Sequence, residues 1–316
     1  MTSVVVIGDI FYDYVCDLSA PNSQHPADLI ANGADLVADV LAVVGGAGLQ
    51  FAVAAAAVGF EPVTIIGKIG GTGPAGPDAV SPDAVGPDAV GPDAVGRTAG
   101  HHAMAPDPAG AAALAAMRAG GVNASLAVDP TAPTGRAMIT YLPRDRRLMI
   151  SDAGANARFA AGDLTPAMVD AVAGARLLYV SGYALVTPTR REAVCRLITG
   201  ARAAGAAVAL DVVPHDFDGL MDAGVVEDVL RSVDWILIAA STARRLVGAI
   251  TGTSEAEVIA SLLRRARSVA IFHHPSTATV VHQGAHHEHR FEYDAGAASR
   301  GQSARAQAEL LYRYVS

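Results

Sequence analysis

Short apolar runs rich in β-branched residues alternate along the chain with longer Ala- and Leu-rich stretches that have helical spacing. The runs predict buried strands, and the stretches between them predict helices, several of which end at Gly. Strands without a polar face, separated by helices, are typical of a parallel sheet that helices cover on both sides. The pattern therefore predicts an α/β fold with a doubly wound, mostly parallel sheet. The predicted strands are 4–8, 63–67, 176–182, 207–213, 234–239 and 268–273, and the predicted helices are 48–59, 109–121, 165–174, 190–205 and 254–268.

Three other segments alternate apolar and polar residues, which indicates strands with one exposed face. They span about 13–18, 36–44 and 136–151. Because such strands do not suit the interior of a covered sheet, they predict a small separate sheet that covers a ligand site as a lid.

A repeat of [GS]PDAV occupies residues 76–95 in four copies, within an insertion at about 71–104 of a domain that otherwise spans residues 1–316. Proline at every fifth position prevents a regular helix or an interior strand. The repeat can be interpreted as a row of carboxylates that binds a cation, or as a flexible surface insertion. We favour the insertion, because isolated carboxylates on a mobile chain bind hard cations weakly. The carboxylates are those of Asp78, Asp83, Asp88 and Asp93.

Composition favours a small-molecule ligand over a nucleic acid or a membrane. The chain has 316 residues, of which 51% are hydrophobic, and can bury a large core. Its net charge of −8 argues against a basic surface for nucleic acid or anionic lipid. The two cysteines, Cys16 and Cys195, lie far apart and predict neither a disulfide framework nor a zinc ribbon. Without a predicted leader or an apolar run of about 18 residues, we expect a cytoplasmic protein.

Several motifs occur in an order that is similar to one protein family. The first strand opens "VVVIGDIFYDYV", and "GGAGLQFAVAAAAVG" follows, with a Gly pair at a turn before a helix. "TIIGKIG" and "DPAGAAALAAMRAGGV" correspond to one "G-x-x-G-x-D-x-x-G" segment, split by the PDAV repeat. Over roughly residues 3–290 the chain resembles the ribokinase-like (PfkB) carbohydrate and nucleoside kinases. The resemblance implies their fold and a sugar or nucleoside as the small-molecule partner.

The resemblance implies a substrate site formed by Asp13, Gly45, Gly46, Gln50 and Asn156. An Asp just beyond a buried strand can accept hydrogen bonds from two vicinal hydroxyls, although a solvated turn Asp is the alternative. The Gly pair lets the backbone approach a ligand without a Cβ clash, or simply forms a turn. Gln50 stands where the family usually has Asn, so its longer side chain shifts the hydroxyl that it reaches. An Asn between two Ala, as at position 156, is also common in turns.

The resemblance implies ATP and Mg²⁺ as cofactors of an active enzyme, but the transfer motifs are altered. The family's "N-x-x-E" motif, which organises the metal, corresponds to Ala239 and Thr242. In "DAGAASR", Arg300, or Ser299 if one residue is gapped, stands where the family's "D-x-x-G-A-G-D" has the catalytic Asp, and a guanidinium cannot accept a proton at neutral pH. Loss of a positioned general base typically costs about 10²–10⁴-fold in rate. The residues implied for the anion or nucleotide are Asp211, which could instead cap a helix, and Gly296, Ala297, Ala298 and Ser299.

Two functions therefore remain open. The first is ATP-dependent phosphorylation of a sugar or nucleoside hydroxyl, in a weak or inactive form. The second is a pseudokinase that binds a sugar or nucleoside, or regulates a partner, without transfer. No metal site is predicted, although His287 and His289 on one strand would share a face and could hold a borderline metal. The lid could also serve as the interface of a homodimer.

Overall fold

A computed structural model of the protein describes residues 2–18, 39–72, 105–142, 146–213, 223–274, 276–292 and 302–316. Its strands are β1 (Val4–Ile7), β2 (Phe11–Asp17), β3 (Val40–Gly45), β4 (Val63–Gly70), β5 (Val122–Asp129), β6 (Gly135–Leu142), β7 (Arg146–Asp152), β8 (Leu177–Ser181), β9 (Ala207–Val212), β10 (Trp235–Ala239), β11 (Ser268–His274), β12 (Thr277–His282) and β13 (Ala285–Arg290). Its helices are α1 (Ala47–Val58), α2 (Pro108–Ala119), α3 (Pro166–Ala173), α4 (Pro188–Ala203), α5 (Ala223–Leu230), α6 (Ala240–Leu246), α7 (Glu255–Leu263) and α8 (Gln302–Val315).

The large sheet confirms the predicted fold class. Its strand order is β13-β12-β11-β10-β9-β8-β1-β4-β5, and the neighbours from β11 to β5 pair in parallel. The hairpin of β12 and β13 extends one edge of the sheet in antiparallel fashion. Apolar runs did not predict β5 or β12, because partly polar strands at or beside a sheet edge lack the run that marks a buried strand, whereas the strand considered for His287 and His289 is present as β13.

Helices cover both faces of the large sheet, as a doubly wound fold requires. Successive strand residues point to opposite faces, so Leu178 and Tyr179 on β8 belong to different cores. On one face Leu178 packs in the same core as Leu197 of α4. On the other face the ring of Tyr179 stacks on Phe51 of α1, with 3.5 Å between ring centroids. Helix α8 covers this second face through Leu311 and its neighbours.

The small predicted sheet is present and has the strand order β3-β2-β6-β7. Its strands alternate as predicted: Asp13, Val15 and Ala137 are buried, whereas Tyr14 and Met138 are exposed. The predicted segments 13–18 and 136–151 overlap β2, β6 and β7, and 36–44 overlaps β3. Residues 36–38 and 143–145 lie outside the described residues.

The two ends of the inserted segment meet. The Thr72 amide donates to the Ala105 carbonyl over 2.9 Å, and the Asp107 amide donates to the Gly70 carbonyl over 2.8 Å. The carboxylate of Asp107 also accepts from the amide of Gly110 at 2.7 Å and so caps α2. The halves of the split glycine motif are therefore adjacent in space. The PDAV repeat itself, with its four aspartates, lies outside the described residues.

Membrane-spanning helices and disulfide bonds were both considered in the sequence. Within the described ranges, no helix is long and apolar enough to cross a bilayer. Cys16 on β2 and Cys195 on α4 are both free thiols.

Candidate functional site

The strand order places a crevice at the carboxyl ends of β1 and β8. From β1 the chain continues to β4 and β5 on one side, and later returns to β8 and β9 on the other side. Open α/β sheets bind ligands where the order reverses in this way, outside the carboxyl ends of the strands. The small sheet starts at the same edge, because β2 follows β1 after a short loop at 8–10. The predicted site residues Asp13, Gly45, Gly46 and Gln50 belong to the elements that follow β1 at this edge.

Asp13 lies on the inner face of the small sheet, and its carboxylate packs against Gly45. It is only 5% exposed, and its strand neighbours are Val43 on β3 and Ala137 on β6. A Cβ atom added to Gly45 would overlap the Asp13 carboxylate, so a side chain at position 45 would displace it. The structure thus brings Asp13 together with the first glycine of the pair.

Gly46 forms the turn between β3 and α1. Its φ of 98° lies in the region that side chains rarely adopt, and an added Cβ would lie 2.9 Å from the amide nitrogen of Phe11. Position 46 therefore needs glycine for both conformation and space. Gln50 follows in the first turn of α1. Its main-chain N–H donates to the Gly46 carbonyl over 2.9 Å, and the residue is half-buried.

Asn156 is fully buried, and its side chain binds the loop that leads from β1 to β2. Its Oδ1 accepts from the Ile10 amide at 3.0 Å, and its Nδ2 donates to the Ile10 carbonyl at 2.8 Å and to the Ala153 carbonyl at 3.1 Å. Asn156 sits in a 3-10 turn over Gly154–Arg158. These contacts favour the turn interpretation of Asn156 over the predicted substrate contact, and they make it a positioning residue for the loop before Asp13.

A buried ion pair beneath the crevice was not foreseen from the sequence. Asp9 directly follows β1, and its carboxylate contacts the guanidinium of Arg190 in the first turn of α4. Ser181, at the carboxyl end of β8, is completely buried, and neither its hydroxyl nor the Arg190 Nε has a hydrogen-bond partner among the described residues. An Arg in a run such as "PTRREAV" gives no signal that one guanidinium turns inward while its neighbour does not.

Asp211 is the last residue but one of β9, near the predicted strand end, and its side chain points into the core. Its Oδ1 accepts from Nε2 of Gln307 on α8 at 2.9 Å, and its Oδ2 lies 3.2 Å from the Tyr179 hydroxyl. The Tyr179 hydroxyl also lies 2.9 Å from Oε1 of Gln307. Desolvation raises the pKa of Asp211 to about 6, against the lowering effect of the Tyr179 and Gln307 hydrogen bonds. This arrangement favours a structural role over the predicted contact with an anion or nucleotide.

The positions of the metal motif do not fit Mg²⁺. Ala239 is exposed at the carboxyl end of β10, and Thr242 is buried in α6. Neither residue type has the carboxylate that a Mg²⁺ site needs. In the part of the chain that the structure describes, no three His, Cys, Asp or Glu side chains group in a way that could hold a metal ion. The turn predicted to hold the anion, Gly296, Ala297, Ala298 and Ser299 with Arg300, lies outside the described residues.

The alternative metal site at His287 and His289 finds no support in the geometry. The rings are 6.2 Å apart between centroids. Both nitrogens of His289 are engaged, Nε2 with the Tyr314 hydroxyl at 2.8 Å and Nδ1 with Arg313 at 3.0 Å. Since Arg313 can only donate, Nδ1 accepts and the ring proton lies on Nε2.

The sequence profile described as pfkB family carbohydrate kinase matches residues 102–297. The chain belongs to this family. The resemblance inferred from the motif order is thereby confirmed. A comparison with curated protein sequences gave no match.

Solved structures show the same fold as this pfkB protein. A probable sugar kinase from Rhizobium etli CFN 42 has a TM-score of 0.74 and 18% identity, covering 100% of this chain and 88% of that one. Adenosine kinase from Sinorhizobium meliloti has a TM-score of 0.70 and 18% identity, with coverages of 99% and 88%. A putative Ribokinase II from E. coli, in complex with ATP and Mg²⁺, has a TM-score of 0.68 and 16% identity, with coverages of 97% and 84%. At these identities the likeness concerns the fold alone.

Proposed function

We propose that this pfkB protein binds a sugar or nucleoside beneath the small sheet, and that its transfer of phosphate from ATP to a hydroxyl is weak or lost. The observation that carries the proposal is the contrast between two parts of the crevice. The substrate half is the site at Asp13 under the lid, and the transfer half is formed by the positions where the family binds the metal and the phosphate. Asp13 is held on the inner face of the lid beside Gly45 and Gly46, whereas Ala239 and Thr242 stand where the family has an amide and a carboxylate.

The substrate half has the chemistry for a polyol. A buried carboxylate can accept hydrogen bonds from two adjacent hydroxyls, and the energy of such charge-assisted bonds rises when water is excluded. The lid supplies the exclusion, because Val15, Ala137 and Ile139 surround Asp13 on the same buried face. Gly45 keeps a side chain out of the space next to the carboxylate, and Gly46 lets the main chain of the loop at 8–10 approach closely. The polyol therefore meets one anionic acceptor in an apolar setting.

The transfer half lacks the corresponding groups. Phosphoryl transfer depends on a base for the hydroxyl, donors for the developing charge and ligands that orient the metal. Ala239 and Thr242 cannot orient a metal, and Arg300 in the sequence cannot act as the base. These substitutions favour, as a second candidate, a pseudokinase that acts through sugar or nucleoside binding, or by regulating a partner.

Ligand-induced stabilisation tests the substrate half. A thermal-shift screen of sugars and nucleosides is expected to find a ligand that raises the Tm of the wild type. At a ligand concentration of 100 times the Kd, binding adds about 2.7 kcal/mol to the free energy of unfolding. Asp13→Asn is expected to abolish that shift, whereas Asp152→Asn, an exposed carboxylate at the end of β7, keeps it. An equal shift in Asp13→Asn and wild type would remove the basis of the proposal.

An assay of ADP release, with ATP, Mg²⁺ and the same sugars and nucleosides, separates the weak kinase from the pseudokinase. Slow release of ADP that depends on one of these compounds identifies a weak kinase. The absence of ADP release with all of them identifies a protein that only binds its ligand. Because positions 239 and 242 remain altered, Arg300→Asp alone is expected to restore no activity. Sugar-dependent turnover in the ordinary range for enzymes, about 1–10³ per second, would contradict weak or lost transfer.

We also propose that the outer face of the small sheet joins two copies of the chain. Its register places five large apolar side chains on this one face, each between 42% and 61% exposed: Tyr14, Val40, Met138, Leu148 and Ile150. Monomeric proteins rarely expose a continuous apolar patch of this kind, and the same patch on a second copy would cover it around a two-fold axis.

Sedimentation equilibrium tests the lid interface. The wild type is expected to be a dimer, and Met138→Glu with Ile150→Glu is expected to yield a monomer because two charges per chain would be buried without partners. Ile250→Glu, at an even more exposed apolar position in the loop after α6, is expected to leave the dimer intact. A monomeric wild type at tens of micromolar would overturn the proposal.

A further inference from the structure

A groove lies at the edge of the large sheet opposite the crevice. It is formed where β8, β9, β10 and β11 begin and β12 ends, and it encloses about 860 Å³. This is within the usual size range of small-molecule sites, about 300–1,000 Å³. We call it the arginine groove, after the three arginines among the residues that line it: Arg176, Arg202 and Arg267, with Trp235, His282 and Tyr314.

The three arginines keep most of their charge uncompensated. Arg202 donates to the Ser232 carbonyl at 2.7 Å and Arg176 to the Val315 carbonyl at 3.4 Å, and main-chain carbonyls carry no net charge. Arg267 is 86% exposed and has only a loose contact of 3.8 Å with Asp234. Among the residues that line the groove, Asp234 is the one acidic residue. Three guanidiniums therefore face one carboxylate, in a chain whose overall net charge is −8.

Some arginines elsewhere on the described surface are instead paired with a carboxylate. Several pair closely with a glutamate four residues away on their own helix, as Arg196 does with Glu192 at 2.7 Å and Arg305 with Glu309 at 2.8 Å. Such pairs neutralise the helix surface. In the groove the guanidiniums come from the ends of separate elements and converge on one space, which leaves their remaining N–H groups available for an anion with several oxygen atoms.

Aromatic rings lie next to the arginines. The His282 ring stacks on Trp235 with 4.9 Å between centroids and an interplanar angle of 12°, and its centroid is 5.1 Å from that of Tyr314. Trp235 is almost fully buried and forms the floor, while His282 and Tyr314 are half-buried. The His282 and Tyr314 rings are tilted by 57° to each other, so a planar ligand can stack on one of them and meet the other at an angle while its anionic end reaches the arginines.

The geometry points to the arginine groove as a second ligand site, for a nucleotide whose phosphate contacts Arg176, Arg202 and Arg267 and whose base lies against His282 and Tyr314. The site is separate from the crevice, because the two lie at opposite ends of the parallel strands. It goes beyond the proposed function and does not depend on Asp13.

Calorimetric titration with AMP tests the proposal. The wild type is expected to bind AMP, and Arg176→Gln with Arg267→Gln is expected to weaken binding at least about tenfold through the loss of two charged hydrogen-bonding groups. Arg267→Gln alone affects an exposed side chain and keeps the test valid if the double variant does not fold. The matched control, Arg118→Gln with Arg196→Gln, removes the same charge from exposed helix positions and is expected to bind AMP as the wild type does.

Two further measurements separate the groove from the crevice. Asp13→Asn is expected to leave the affinity for AMP unchanged, so a failure of the substrate proposal would not affect this result. Adenosine, which lacks the phosphate, is expected not to compete with AMP. Equal AMP affinity in the wild type and in the groove variants, or an equal loss in the charge-matched control, would overturn the proposal.

Discussion

Arg190→Met is expected to lower the free energy of unfolding by about 3–5 kcal/mol, the usual cost of removing one partner from a buried ion pair. The side chains of Arg190 and Asp9 are 4% and 9% exposed, and the guanidinium contacts the Asp9 carboxylate directly. Methionine fills a similar length with an apolar chain, so the loss comes from the carboxylate that stays buried without its partner. Urea denaturation of the wild type and the variant measures the difference.

The same helix offers a matched control for this prediction. Arg196 is paired with Glu192 on the exposed side of α4, where the two side chains are 62% and 60% exposed. Arg196→Met is expected to change stability by less than about 1 kcal/mol, because exposed pairs are weak. Asp9→Asn combined with Arg190→Met is expected to recover part of the loss, since no charge then remains buried. A cost below about 1 kcal/mol for Arg190→Met would show that Asp9 finds another partner or reaches water.

Periodicity was enough to predict six of the nine strands of the large sheet. The strands β1, β4, β8, β9, β10 and β11 are buried on both faces, so each leaves a continuous apolar run in the sequence. β13 could not be found in this way, because nearly all of its residues are exposed and several are His. Its pairing with β12 is local, across the two-residue turn at Gln283 and Gly284, both of which have positive φ, but a search for apolar runs does not use that turn signal.

Candidate residues were predictable where the side chain serves a local turn or strand. Gly46 needs its positive φ whatever surrounds it, and Asp13 lies on the buried face that strand alternation assigns to it. The partner of a buried polar group was not predictable. Asp9 and Arg190 are far apart in the sequence, and their contact exists only because α4 packs beside β1. Asp211 illustrates the same limit, since its place at a strand end does not reveal which way its carboxylate points.

Asp211→Asn is expected to stabilise the protein at neutral pH by at most about 3 kcal/mol. Folding raises the pKa of the Asp211 carboxyl from 3.8 to about 6, chiefly by desolvation, so the folded state holds a proton more tightly than the unfolded state. The wild type therefore loses stability as the pH rises from about 4 to about 6, and the full loss persists above that range. Each unit of pKa difference corresponds to about 1.4 kcal/mol, which sets the upper limit.

Counting protons in the cluster supports the direction of this effect independently. The Asp211 carboxyl, the Tyr179 hydroxyl and the Gln307 amide make three contacts of 2.9 to 3.2 Å. With Asp211 ionised, the cluster has one hydroxyl proton and one amide proton for these three contacts. A protonated carboxyl supplies the third, by donating to the Tyr179 oxygen while that hydroxyl donates to Gln307. Asparagine supplies it at every pH, because its amide donates to Tyr179 and its carbonyl accepts from Gln307.

Denaturation of both proteins between about pH 4 and pH 8 tests the prediction. Asp211→Asn and wild type are expected to be equally stable at the acidic end, with a difference in favour of the variant that grows to about pH 6 and then stays constant. Asp152→Asn replaces an exposed carboxylate and is expected to show no such difference. If Asp211→Asn were instead less stable than the wild type at neutral pH, the carboxylate would be held as an anion by a positive group. Asp211 would then again be a candidate for the chemistry of the crevice, because an ionised carboxylate at that strand end can coordinate a hard cation or pair with a positive group.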